Sequence, residues 1–425
     1  MLDIKYIREN PEEVKKAAKD KGIDVNIERV LELDNRVRGL DLMVQKLRED
    51  RNRAARAVIN ATNKEIIIKK GKELKTKLEK HEKALLALEE ELKMLLFKIP
   101  NPAKKDVKVG KDDSENEILR KEGIPRKFNF KPLDHLDLGE KLDIIDVKRA
   151  SKVSGTRFAY LKGDAVLLEF ALIQFGLETL TREGFIPVVP PVLIRKEITE
   201  GLGYWQGGGN EDYYLVNEPE NPEGYFYLVG TAEHALVPMH KDEVLNAKDL
   251  PKRYVGFSAA FRREAGSYGK DTKGILRVHQ FDKLEMVSFV KEDEDDKEHE
   301  YLLSLEEKLF KALEIPYQVV KMCTGDLGFP AARKYDLEAW MPGQGKYREV
   351  TSVSTVTDFQ SRRLNIKYQE DSPAGRDKKY VNILNGTAFA IGRTIIAILE
   401  NYQQEDGSIE IPKVLQKYIG KSVIK

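Results

Sequence analysis

The residues best suited to chemistry fall in one stretch, Phe257–Met286, FSAAFRREAGSYGKDTKGILRVHQFDKLEM. Arg262-Arg263-Glu264 closes one strand-like run, and Gly266, Gly269 and Gly274 mark a loop before the next. A second strand is expected over 275–289. Side chains alternate across a strand, so Arg277, His279, Phe281, Lys283 and Glu285 fall on one face. Such a face can hold a polyanion with Arg262, stack a base on Phe281 and bind an amine with Glu285. The plainer alternative is an exposed sheet face with cross-strand ion pairs.

Three other clusters carry candidate groups. Tyr347–Arg363, YREVTSVSTVTDFQSRR, places Glu349 and Ser352 close together, and their oxygens suit a hard cation such as Mg2+. A Thr/Ser-rich strand is the alternative there. In Asn385–Tyr402, NGTAFAIGRTIIAILENY, Arg393 interrupts an apolar helical run. A buried arginine needs an anion or a carboxylate partner. Thr387 follows an Asn385-Gly386 turn signal and reads as a ligand or an N-cap. Thr231-Ala232-Glu233 opens another helical run, where capping competes with binding. His279 lacks any spacing that suggests an activated nucleophile, and Cys323 reads as a packing residue.

The common nucleotide signatures are absent. No G-x-x-x-x-G-K-[ST] occurs, and Gln206 stands where a G-x-G-x-x-G would need its third glycine. No H-E-x-x-H occurs, and the six histidines are scattered.

Two kinds of element must position these residues. Residues 33–58 carry a heptad seam: Leu33, Val37, Leu40, Val44, Leu47, Ala54 and Val58, broken only by Arg51. Residues 74–95 repeat it with Leu74, Leu78, His81, Leu85, Leu88, Leu92 and Leu95. Asn60-Ala61-Thr62-Asn63 reads as the turn between them, so an antiparallel coiled coil is expected. At 1.5 Å per residue such an arm is roughly 40–45 Å long. From Val44 to Lys80 it carries 12 Lys or Arg against 5 Asp or Glu. That excess suits either a solvated face or contact with a phosphate backbone.

Beyond Pro100 and Pro102, the polar run 104–116 reads as a linker, and 118–130 has no clear period. From about His135 the texture is α+β. Ala165–Glu183 is a strongly apolar helix, and further helices are expected at 232–245, 297–313 and 388–404. Strands are expected at 212–216, 225–229, 253–262, 275–289, 317–322, 335–340, 347–353 and 379–384. Several strands adjoin directly, which predicts an antiparallel sheet with flanking helices. Gly201–Asn210 is a glycine-rich loop. The acidic run 291–300 reads as a solvated loop and helix start. The domain expectation is 1–103, a linker at 104–134, and 135–425.

Composition bounds the answer. The 425 residues allow two or three domains. Lys and Arg number 72 against 71 Asp and Glu, so the chain has no global basic coat. A single cysteine excludes an internal disulfide and a thiolate zinc cluster. No apolar run of about 18 residues exists to span a membrane. The charged start carries no signal peptide, so a cytoplasmic location is expected.

Taken together, these stretches resemble the seryl-tRNA synthetases, a family of class II aminoacyl-tRNA synthetases. The opening MLDIKYIRENP is similar to the family's N-terminus, and the two-helix arm to its tRNA-binding domain. Gly184-Phe185…Pro191 resembles class motif 1, which lies at the dimer interface. FRREAGSYGKDTKGILRVHQFDKLEM resembles motif 2 in a form specific to the seryl enzymes, and GTAFAIGRTIIAILENYQ resembles motif 3.

The resemblance implies a class II antiparallel sheet binding bent ATP. It implies that Arg262 holds the α-phosphate, Arg393 the γ-phosphate, and Phe281 the adenine. Glu264 and the Val278 backbone complete the ATP contacts, and Glu349, Val350, Thr351 and Ser352 serve ATP, with Glu349 and Ser352 on Mg2+. It implies that Thr231, Ala232 and Glu233 line the serine pocket, Glu285 holds the substrate, and Thr387 contacts the hydroxyl end. The implied catalytic set is Arg262, Glu264 and Arg393. The implied partners are L-serine, tRNA(Ser), tRNA(Sec) as a second candidate acceptor, and a second copy of the chain. Val353 and Thr355 depart from the Cys and Asn common in the family, Gly230 from a proline, and Thr387 from a serine.

Three other readings remain at this point, and the first, another class II synthetase, would lack an N-terminal coiled coil joined to this motif 2. An amino-acid activator that loads a carrier protein would lack the arm and use a metal in its pocket. A non-catalytic scaffold would have lost Arg262, Glu264, Glu285 or Arg393, and all four are present.

Overall fold

A computed structural model describes residues 1–58, 63–204, 209–216, 225–265, 273–370 and 377–425. The chain forms two compact units: Met1–Lys19 with Ile23–Pro100, and Asp20–Gly22 with Asn101–Lys425.

The first unit is helical: α1 (Ile4–Glu9), α2 (Pro11–Asp20), α3 (Ile27–Ala57) and α4 (Lys64–Leu96). The last two have 31 and 33 residues and pair antiparallel. Val44, Leu78 and Leu85 are buried between them, flanked by Val37, Leu40 and Leu47, as the heptad row predicts. Arg29 meets Glu91 at 2.6 Å and Arg48 meets Glu82 at 2.7 Å across the pair. Asn63 precedes α4; Asn60, Ala61 and Thr62 of the expected turn lie outside the described residues.

The second unit is built on an eight-stranded sheet. Its strands are β1 (Glu117–Glu122), β2 (Ile186–Val188), β3 (Lys252–Phe261), β4 (Gln280–Val290), β5 (Tyr317–Lys321), β6 (Arg333–Met341), β7 (Lys346–Thr357) and β8 (Asn382–Ala390). Their order across the sheet is β1-β5-β6-β7-β8-β4-β3-β2, antiparallel except for β2 beside β3. Three helices cover one face: α5 (Asp164–Arg182), α6 (Asp295–Ala312) and α7 (Ile391–Tyr402). Alternation along β4 sorts its side chains. Leu284 and Met286 join the main core with Leu168, Leu172, Leu309 and Ile395. Phe281, Lys283 and Glu285 point the other way into an open cavity. Val287 and Phe289, farther along that second face, enter a smaller core with Leu236 and Ile383.

Several expectations need correction. The strand expected over 275–289 begins only at Gln280. Gly274 adopts φ +69, and a Cβ there would run into the His135 ring, whose Nε2 accepts the Ile275 N–H at 3.2 Å. Residues 275–279 are therefore a turn. The helix expected at 232–245 is only Glu233–Leu236, because Pro238 has no N–H to continue it. Asn385-Gly386 is no turn; it lies inside β8, paired on both sides by β4 and β7. The last helix accordingly starts at Ile391, not 388. The acidic run is only partly solvated. Asp295 accepts from Thr355 Oγ1 at 2.9 Å, and Glu298 takes Arg253 at 2.6 and 2.7 Å. The segment 118–130, which shows no clear period, begins in edge strand β1, exposed throughout.

Candidate active site

One cavity of about 430 Å³ opens over the free face of β4, β7 and β8. It brings together Arg262, Glu264, Val278, Phe281, Glu349, Val350, Thr351, Ser352 and Arg393. The same cavity reaches Thr231, Glu233, Glu285 and Thr387. Ala232 differs: its side chain is fully buried in the smaller core, behind the cavity wall. His279 leaves the group because it sits in the turn. Its Nδ1 is 3.0 Å from Arg262 O, and its ring packs on Phe158. Residues 266–272 of the expected glycine loop lie outside the described residues.

Two β-bulges set the faces. Between β6 and β7, Thr351 pairs with Leu337 while Glu349 pairs with Glu338, so Val350 is an extra residue. The bulge turns Glu349 to the cavity side with Ser352 and leaves Val350 1% exposed. Between β4 and β8, Leu284 pairs with Phe389 and Glu285 with Thr387, making Ala388 the extra residue. Thr387 thereby stands directly across from Glu285.

At one end the cavity is cationic. Arg393 Nη1 donates to Glu349 Oε2 at 2.9 Å, and its Nε to Leu276 O at 3.3 Å. Burial opposes the Glu349 charge, but Arg393 and Lys334 outweigh it and hold the carboxyl down to about 2. Arg277 Nη1 meets Glu264 Oε2 at 3.0 Å. Glu264 sits at φ 54, a left-handed conformation costly for a residue with a side chain. The Arg262 guanidinium lies 5.4 Å from the Phe281 ring centroid, and its Nε donates to Gly230 O at 3.1 Å.

The other end holds buried carboxylates. Glu233 is 2% exposed and accepts from Tyr204 OH at 2.9 Å on both oxygens. Gln360 Nε2 donates to Glu233 Oε1 at 3.0 Å. Burial pushes the Glu233 carboxyl up to about 7, with Gln360 pulling it back. Thr387 Oγ1 donates to Glu285 Oε2 at 3.0 Å. Thr231 both lines the cavity and accepts the Glu233 N–H at 3.3 Å, so the capping alternative is realised alongside. Tyr204 and Gln360 are the residues that sequence reasoning missed. No spacing links either to Glu233; only the fold brings them there.

The departures from the family pattern also find places. The Gly230 N–H donates to His234 Nδ1 at 3.2 Å, a bond that a proline at 230 could not make. Val353 and Thr355 lie off the cavity, Val353 in the main core and Thr355 on Asp295.

Two family models match the chain. The family model of the seryl-tRNA synthetase N-terminal domain matches residues 1–103. That of the tRNA synthetase class II core domain (G, H, P, S and T) matches residues 214–402. A serine--tRNA ligase of Dictyoglomus thermophilum is 47% identical over 430 residues, spanning 100% of this chain and 99% of that protein. The chain belongs to the seryl-tRNA synthetase family.

Two solved seryl-tRNA synthetases extend the likeness to the whole fold. The enzyme of Pyrococcus horikoshii, complexed with ATP, has a TM-score of 0.90 at 41% identity and covers 100% of this chain and 99% of its own. The cytoplasmic enzyme of Naegleria fowleri, in complex with AMP, has a TM-score of 0.87 at 31% identity over the same shares. A prolyl-tRNA synthetase of Giardia lamblia, 16% identical with a TM-score of 0.56 over 67% of this chain and 57% of its own, shares the fold. As a seryl-tRNA synthetase the chain is a ligase that joins serine to tRNA with ATP.

Proposed function

We propose that the cavity holds ATP and L-serine side by side and makes seryl-adenylate and pyrophosphate. A hydroxyl of the 3'-terminal adenosine of tRNA(Ser) then attacks the seryl carbonyl of the mixed anhydride, forming the ester and releasing AMP and a proton. The observation that carries this reading is the division of one cavity into a cationic end and a carboxylate end. A triphosphate suits the first, and an amino-acid ammonium with a hydroxyl suits the second.

In this reading Arg262 takes the α-phosphate, Arg393 the γ-phosphate, and Phe281 stacks on adenine beside Glu264 and the Val278 backbone. Serine lies between Thr231, Glu233, Glu285 and Thr387. Its carboxylate oxygen attacks the α-phosphorus in line, a new O–P bond forms, and the bond to the pyrophosphate oxygen breaks. The attacking oxygen is already anionic, so no general base is needed. The protein aligns the groups and neutralises phosphate charge.

Mg2+ fits the cationic end. Among the described residues no cluster of three or more His, Cys, Asp or Glu offers a dedicated metal cage. Ionised Glu349 with the Ser352 hydroxyl suits a cation that keeps its waters and shares phosphate oxygens. When bound, it would neutralise charge on the phosphates. A pocket that bonds the substrate hydroxyl can reject alanine by roughly 10⁴-fold or more; rejection of threonine would have to come from lack of room for its methyl.

The basic arm is the proposed tRNA contact, reaching the long variable arm and elbow, with tRNA(Sec) as a second acceptor. Homodimer formation is supported by exposed Phe170, Ile186 and Val189, at 60%, 49% and 83%. Among the described residues no helix is long and apolar enough to cross a membrane, and a cytoplasmic location is proposed. Arg393→Ala tests the phosphate end. ATP–pyrophosphate exchange with serine should fall by about 10² or more, as for loss of a charge-stabilising donor. Normal exchange would make Arg393 a purely structural partner of Glu349.

A further inference from the structure

Lys283 stands beside Glu285 on the cavity face of β4 and has no part in the reaction as set out above. Its ammonium lies 2.6 Å from Glu285 Oε2, the oxygen that also accepts from Thr387 Oγ1 at 3.0 Å. Both charged side chains are buried, at 8% and 2% exposure. Burial pushes the Lys283 amine below its ordinary range, with Arg262 adding to the fall and Glu285 and Glu233 opposing it. Burying an ion pair strips water from both partners, and only good geometry offsets that cost. Here the geometry is a primary ammonium on a carboxylate with a threonine hydroxyl alongside. An amino-acid substrate brings the same group, a primary ammonium, to the same carboxylate.

We propose that Lys283 is a resident counter-ion. In the free enzyme its ammonium fills the subsite on Glu285 that the ammonium of serine takes on binding. The idea rests on the placement of serine at Glu285. Serine binding is then an exchange of one ammonium for another on the same carboxylate. The exchange weakens apparent serine affinity by the fraction of enzyme in which Lys283 has left Glu285. It also sets a specificity rule. A ligand with the hydroxyl and carboxylate of serine but no ammonium leaves Lys283 in place and borrows its charge.

The test pairs serine with 3-hydroxypropanoate, which lacks only the amino group. In Lys283→Met, serine KM in ATP–pyrophosphate exchange should fall by about tenfold, the factor expected if the displaced state is about a tenth of the free enzyme. The inhibition constant of 3-hydroxypropanoate should rise in the same variant. Lys283→Gln, which keeps a donor without the charge, should move both constants in the same opposite senses by less. Both constants rising together would make Lys283 a general attractor of carboxylates and overturn the proposal. So would no change in either. Glu285→Gln separates this from the placement of serine. Unchanged serine KM there would remove serine from Glu285, and both readings would fall. Raised KM there with co-directional changes in Lys283→Met would overturn the counter-ion role alone.

Discussion

At Glu233 a carboxyl is held between two opposing demands. Burial, reinforced by Glu285, pushes it up to about 7, while Gln360, Tyr204 and Lys283 pull it down. Its folded pKa is raised, so the stability contribution of the neutral form is complete below the ordinary carboxylate range. That contribution is lost as pH rises through about 7. Substrate binding has the opposite sense, because an ammonium favours the ionised carboxyl. Serine KM should therefore fall as pH rises through about 7. Gln360→Leu removes a donor to the ionised form, so the inflection should move to higher pH. Measuring serine KM across neutral pH in both proteins checks this, and a flat profile in the parent would contradict it. At this scale much of the site was legible in the sequence. Arg262, Phe281, Glu285, Glu349 and Arg393 were singled out by type and do share one cavity. Tyr204 and Gln360 were not, because a tyrosine near a glycine run and a glutamine in a polar helix become partners of Glu233 only through long-range packing.

Elements decide which face each of these residues sees. The sequence read the heptad arm and most strands of the antiparallel sheet correctly, since both follow a simple hydrophobic period. It misread 385–390 as a turn and helix start. Asn-Gly is a local turn signal, but pairing with β4 and β7 on both sides overrides it. The bulges at Val350 and Ala388 were equally illegible, because a bulge is a property of two strands and not of one. Gly256 offers a test at this scale. It pairs with Glu285 across β3 and β4, and a Cβ there would fall 2.7 Å from Leu236 Cδ1 and 3.1 Å from Ala232 Cβ. Gly256→Val should push the 231–236 segment off the sheet. Overpacking of this kind costs about 1–3 kcal/mol, and serine KM should rise more than ATP KM because Thr231 and Glu233 ride on that segment. Equal changes in both constants would show that the segment does not carry the serine end.

The whole molecule divides its charge as it divides its chain. The net charge is only +1, yet the distal arm carries a local excess of basic residues. Phosphate contacts release counterions, so binding through the arm should weaken steeply with salt. Deleting residues 31–98 should abolish charging of tRNA and leave adenylate formation nearly intact. Equal loss of both activities would contradict that division of labour. The central claim is that the cavity activates serine. The most direct measurement is ATP–pyrophosphate exchange with each of the twenty amino acids, without tRNA. Exchange with serine, and with none of the others at a comparable rate, is the predicted result. A folded protein that binds tRNA and exchanges pyrophosphate with no amino acid would contradict the account and leave a nucleic-acid-binding scaffold in its place.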